Sequence, residues 1–231
     1  MQAGKSFTYM FEDTQWPSKT LIGALVGMVP ILNFAWLGYL IGVLKNVSRG
    51  EKVLPLWDDF SDKFMDGLKL GVASLIYTLP ATILVMVAAI VFVIPAIAQQ
   101  DQDLQAILMG GASLAYFLLC SVVGLYFLVF SFFLPAISIH FARVGTFKSC
   151  FEVGQILTLV KKDFSTYLTA WLLSLVAGLA AGAIVTVASA LLSWIPCIGQ
   201  IAAMLVSAVA TVWSSLVSYH LYGQVGMDLP A

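Results

Sequence analysis

Residues 195–200 read IPCIGQ, inside 64 consecutive residues (Phe164 to Met227) that contain no Asp, Glu, Lys or Arg. Residues 94–99 read IPAIAQ, the same I-P-x-I-x-Q pattern, and residues 29–33 read VPILN in a third apolar setting. Proline has no amide donor and biases the residue before it away from helix, so it ends a rising apolar helix. The polar residue beyond it, Asn33, Gln99 or Gln200, suits the carbonyls that a broken helix leaves open. Each stretch is therefore read as a hairpin tip, centred on Pro30, Pro95 and Pro196.

Working outward from the tips, the uncharged blocks run over 20–44, 70–100, 104–142 and 164–227. About 20 apolar residues cross a bilayer core as a helix, so the last three blocks are each long enough for a span and the last for two. Composition agrees. Apolar residues make up 61% and charged residues 10%, too few charges to cover the surface of a soluble fold. Segments of about ten alternating residues, the mark of an outer-membrane barrel, are absent from the sequence. The first nineteen residues carry Lys5, Glu12, Asp13 and Lys19 before any apolar run, unlike a cleavable signal peptide.

Paired phenylalanines precede the blocks. FSDKFMDG (60–67) and FKSCFEVG (147–154) share Phe-x-x-x-Phe-x-x-Gly, and FTYMFED (7–13) has the same pair without the glycine. Phenylalanines four apart lie on one helix face. Phe7 with Phe11, Trp57 with Phe60 and Phe64, and Phe147 with Phe151 are thus expected to anchor amphipathic helices in the membrane interface. A connecting helix packed on the spans fits the same pattern; recurrence before an apolar block favours the interfacial placement.

The expected fold is an all-α integral membrane protein of six apolar helices. They form three Pro-tipped hairpins, the first short or re-entrant, each preceded by an amphipathic interfacial helix. The chain is one membrane domain of three repeat units, about 3–48, 57–142 and 147–226, and such repeats are common in membrane proteins. Basic residues near span ends mark the cytoplasmic side. All eleven Lys and Arg fall in the N-terminal segment, in 45–69 or in 143–163, and none falls at a tip. Both termini are expected on the cytoplasmic side of a prokaryotic cytoplasmic membrane.

Sites of chemistry are sparse. Asp58, Asp59 and Asp62, with Glu51 and Asp66, form the densest acidic group, and hard cations prefer such oxygen ligands. The favoured role is a cap for a helix starting near Phe60. His140 and His220 lie 80 residues apart with no acid close in sequence, as structural histidines would. Cys120, Cys150 and Cys197 have no disulfide or zinc spacing. No G-x-S-x-G, phosphate loop or dinucleotide glycine pattern occurs. Gly178 and Gly182 make a G-x-x-x-G in a run of small residues that lets helices approach closely, toward each other or toward a partner.

VSRGEKVLPLWDDF (47–60), between LGYLIGVLKNV and DGLKLG, resembles the signature loop of the prokaryotic domain-of-unknown-function family numbered 4013. CFEVGQILTLVKKDFSTYL (150–168), IPCIGQ and SYHLYGQVG (218–226) are similar to its later segments. The resemblance implies a small multi-span membrane protein with no assigned activity. The expected function is a non-enzymatic accessory or scaffold subunit of a membrane complex. Its partners are membrane lipids and other membrane protein subunits, with no nucleic acid, metal or cofactor. The alternatives are a permease-like protein for an uncharged or amphiphilic compound, and an interfacial lipid enzyme using Asp58 and Asp59. The spans carry no acidic or basic residue of the kind that ion-coupled transport uses.

Overall fold

The structure is a computed structural model that describes residues 2–51, 53–97, 102–195 and 197–227. These residues form eight α-helices: α1 (Ala3–Glu12), α2 (Trp16–Met28), α3 (Asn33–Ser48), α4 (Phe60–Ile97), α5 (Gln102–Val144), α6 (Val153–Lys162), α7 (Phe164–Leu192) and α8 (Ile198–Met227). A 3-10 turn, Phe147–Phe151, precedes α6, and there is no strand among the described residues. Within α4, α5, α7 and α8, the stretches Phe60–Val93, Ala106–Val144, Phe164–Leu192 and Ile198–Gly226 are long and apolar enough to cross a bilayer. That is the make-up of a multi-pass membrane protein. Helices α2 and α3 have 13 and 16 residues, which at about 1.5 Å per residue falls short of a hydrocarbon core of about 30 Å.

The chain divides into two compact units, Met1–Val72 with Pro135–Ala231, and Ala73–Leu134. In the first, α8 is the central element and packs on α7, α3, α1 and α2. Helices α3 and α8 run parallel with flush ends, since Gly223 lies against Val47 and Gly226 against Ser48. At the other end, Gly27 and Asn33 of the first hairpin share a cavity of about 240 Å³ with Met204 and Ser207. The hairpin tip therefore stops roughly 10 Å short of the start of α8. There the Asn33 side-chain amide donates to the Gly27 carbonyl at 3.1 Å, holding the two helix ends together.

Helices α3 and α4 touch backbone to backbone. A Cβ on Gly38 would lie 1.7 Å from the Lys63 carbonyl oxygen, and one on Gly67 would lie 1.7 Å from that of Phe34. Only glycine fits at either position.

The second unit is the far part of α4 and α5. The Tyr126 hydroxyl donates to the Tyr77 carbonyl, and the Tyr77–Phe130 and Phe92–Tyr116 rings sit 5.9 and 5.3 Å apart. These pairs align the two helices antiparallel. The buried side chains are small: Ala73, Ala81, Ala88, Ala112 and Val123. Helices α4 and α5 run through Pro80 and Pro135 without a break, so neither proline divides its helix.

The three phenylalanine segments fold differently from one another. Phe7 and Phe11 lie on α1, an amphipathic helix separate from the spans in sequence and packed on α8. Phe60 and Phe64 instead form the first turns of α4, continuous with the span, because nothing between Phe60 and Leu70 interrupts the helical ladder. Phe147 and Phe151 lie in the 3-10 turn, their rings edge to face at 5.3 Å. The amphipathic helix there is α6, which begins beyond them and buries Ile156, Leu159 and Val160 within the protein.

Candidate functional site

Asp13 closes the corner between α1 and α2. Its Oδ1 accepts the Gln15 amide at 2.7 Å, an Asx-type turn that redirects the chain into α2. Its Oδ2 accepts the Lys19 ammonium at 2.7 Å and the Leu54 amide at 3.1 Å. Lys19 completes the ring by donating to the Leu54 carbonyl at 2.8 Å. The two charged side chains are 3% and 6% exposed, so this is a buried ion pair with further hydrogen-bond partners. Burial alone would raise the Asp13 pKa. The hydrogen bonds from Lys19 and Gln15, the Lys19 charge and the Leu54 amide outweigh it and hold the carboxyl below its ordinary value.

The same corner holds the loop 49–59. The Tyr9 hydroxyl donates to the Val53 carbonyl at 3.2 Å. Trp57 donates its indole N–H to the Lys19 carbonyl at 3.0 Å. Its ring stacks on Tyr39 at 4.5 Å, and Tyr39 stacks on Trp36 at 5.4 Å. Burial pushes the Tyr9 hydroxyl pKa up, so that group stays neutral. Trp57 is thus fixed inside the fold by a hydrogen bond and a stack.

Facing the solvent side of this loop is a polar groove of about 570 Å³ between α3, the loop and the start of α4. Five carboxylates, Asp58, Asp59, Asp62 and Asp66 with Glu51, and three bases, Lys45, Arg49 and Lys63, line it. Four of these eight are paired with one another. Asp66 pairs with Lys45 at 2.9 Å and with Lys69 at 3.5 Å, and Lys63 reaches both the carbonyl and the carboxylate of Asp58. Asp59 precedes α4 with φ +47°, and its backbone carbonyl accepts the amides of Asp62 and Lys63 at 3.0 and 3.2 Å. No group of three His, Cys, Asp or Glu that would hold a metal ion occurs among the described residues.

His140 meets Glu152 at 2.8 Å, joining the end of α5 to the segment before α6. His220 contacts Ser6 Oγ through Nδ1 at 2.8 Å, beside the Gln224 amide. A serine on a histidine is the start of a nucleophilic arrangement. Ser6 is 1% exposed, however, and the third neighbour is an amide, so the set pins α1 to α8. Cys150 is buried and its thiol is pushed up to about 11; Cys197 is exposed.

Of the remaining expected positions, Pro30 lies in the turn between α2 and α3, and Pro95 in the last turn of α4. Gln200 is the third residue of α8. Gln99 and Pro196 lie outside the described residues. A Cβ on Gly178 or Gly182 would meet nothing within 4 Å, whereas Ala177 and Ala181, one position earlier, are buried in α7. The ion pair of Asp13 and Lys19 escaped the sequence reading. Its only signal is two charges flanking Trp16-Pro17 at the edge of an apolar block.

A family model described as "Protein of unknown function (DUF4013)" matches residues 21–194. No curated protein and no solved structure matches the chain.

Proposed function

The chain belongs to the DUF4013 family, whose function is unknown, and from that premise we propose that it is a non-enzymatic accessory or scaffold subunit of a membrane protein complex. The observation that carries this reading is how little of each span is covered by its own chain. The most apolar windows of the four spanning stretches are 6–22% buried, which leaves long helix faces for lipid and for partner subunits. Three ion pairs, by contrast, tie the corner of α1 and α2, the α3–α4 contact and the start of α4.

In the finer form of this reading, the six apolar helices form three hairpins on a repeated plan, entering from the cytoplasmic side of a prokaryotic cytoplasmic membrane. The distribution of all eleven Lys and Arg supports that orientation. Purification in mild detergent after cross-linking tests the subunit role: defined protein partners in fixed ratio are expected, and a lone chain carrying only lipid would overturn it. Orientation has its own test. An impermeant maleimide should label exposed Cys197 in intact cells, while Thr158→Cys on α6 should react only after permeabilisation. The reverse pattern would overturn it. Buried Cys150 cannot report.

A further inference from the structure

An apolar groove of about 510 Å³ opens between the corner of α1 and α2 and the face of α7 and α8. Met10, Phe11 and Trp16 close one side, and Ile184, Val209 and Trp213 are among the residues that close the other. Its volume and lining are those of a small-ligand site rather than of a packing defect. Two features define the occupant. Ile184, Leu205 and Val209 belong to bilayer-crossing stretches and are 51%, 47% and 48% exposed, so the groove is continuous with the surface that meets lipid chains. At its other side stands an aromatic cluster, with Phe11 edge to face on Trp16 at 5.1 Å and Trp213 close to Phe7 at 6.2 Å. The two indoles, Trp16 and Trp213, carry a polar N–H on an apolar ring, the type of side chain that suits the boundary between lipid chains and headgroups. The indoles of Trp57 and Trp213 donate to the Lys19 and Phe7 carbonyls, but Trp16 Nε1 donates to no described residue.

We propose that this groove holds one acyl chain of a membrane phospholipid, with Trp16 Nε1 donating to its ester oxygen. The inference rests on the membrane reading above. A chain lying between Met10 and Val209 meets protein on two sides, where a lipid elsewhere on the spans meets it on one. Bilayer tails are as apolar as the groove, so its longer stay comes from close packing on two sides and from the hydrogen bond at its ester. The lipid would also bridge α1 to α7, elements that otherwise contact each other little.

The test uses the full chain reconstituted in vesicles of phosphatidylethanolamine and phosphatidylglycerol, doped with a phosphatidylethanolamine carrying a diazirine on its acyl chain. After irradiation, mass spectrometry maps the adducts. Labelling at Met10, Leu205 and Val209 is expected to exceed that at Leu179 and Leu191, which are 75% and 71% exposed on α7 and report ordinary lipid contact. Val209→Trp, which fills the groove, should cut labelling at Met10 and Leu205 about tenfold and leave Leu179 unchanged. Trp16→Phe, which keeps the aromatic ring, should weaken groove labelling about fivefold through loss of one hydrogen bond. Equal labelling at groove and control positions, or groove labelling indifferent to both variants, would overturn the proposal. Absence of adducts at Leu179 and Leu191 as well would instead strike the membrane reading.

Discussion

The corner around Asp13 and the far part of the α4–α5 pair are held together by opposite means. The corner buries Tyr9, Trp36, Tyr39 and a charged pair, and nearly every polar atom in it has a named partner. One exception is the Tyr39 hydroxyl, which is buried without a partner among the described residues. Residues Ala73–Leu134 bury mostly alanines, with Ala73, Ala81 and Ala88 spaced along one seam of α4. The difference arises from the surroundings. Where a segment meets lipid, burying large apolar groups gains little, because the tails are equally apolar, and close backbone approach holds the helices together. At the polar edge, buried charges need their partners in place, and the fold supplies them for Asp13 and Lys19.

The contrast can be broken most forcefully at the ion pair. Lys19→Met leaves Asp13 buried without its counter-charge and is expected to cost about 3–5 kcal/mol in unfolding titrations in mixed micelles. Replacing both, Asp13→Leu with Lys19→Met, should recover part of that loss, and a double variant no better than the single would count against the pair. Next in size are the glycine contact and the alanine seam. Gly38→Ala should cost about 1–3 kcal/mol or more by forcing α3 off α4, and Ala81→Leu a similar amount in the second unit. Leu79→Ala, at an exposed position on the same helix, should stay within about 0.5 kcal/mol. If truncating Leu79 hurt more than enlarging Ala81, the seam would not be what holds that pair.

Acid should separate the two regions more gently. The folded Asp13 carboxyl titrates below its ordinary value of 3.8. Its contribution is therefore complete above about pH 4 and is lost as pH falls through the lower, folded value. Hydrogen exchange at the Gln15 and Leu54 amides should accelerate there relative to a reference amide in 73–134, and Asp13→Asn should abolish that extra acceleration. The smallest effect belongs to Asp59. At φ +47° a glycine is more comfortable, so Asp59→Gly should raise stability by about 0.5–1 kcal/mol. A loss of that size would mean that the Asp59 carboxylate itself holds the start of α4.

How much of this was legible in the sequence depends on how many segments a feature needs. A bilayer-crossing stretch is a property of one segment, and the uncharged blocks 70–100, 104–142 and 164–227 contain most of the four stretches of the structure. The ring joining Asp13, Lys19 and Leu54 needs three segments at once, and no local pattern announces it. The paired phenylalanines have one spacing but three settings, because the chain continues differently after each pair: a corner at Asp13, an unbroken helix beyond Phe64, a turn ending at Phe151. Small residues in α7 were visible as a run. Only the structure distinguishes adjacent stripes, since one position along a helix rotates the side chain by about 100°, from the buried Ala177 to the open Gly178. Asp58, Asp59 and Asp62 were visible as an acidic group, but their basic neighbours Lys45 and Arg49 come from α3 and its end, before the loop begins.

The contact between Ser6 and His220 sets a schedule for biogenesis. Asp13, Lys19 and Leu54 all leave the ribosome early and can lock while most of the protein is still unmade. The face of α1 carrying Ser6 and Tyr9 cannot be covered until α8 arrives, some tens of seconds later at about 5–20 residues per second. Through that interval the first helix needs a temporary host, and the bilayer surface suits its amphipathic shape. Completion of the last helix then covers the face of α1 that carries Ser6 and Tyr9 and leaves Phe11 at the surface.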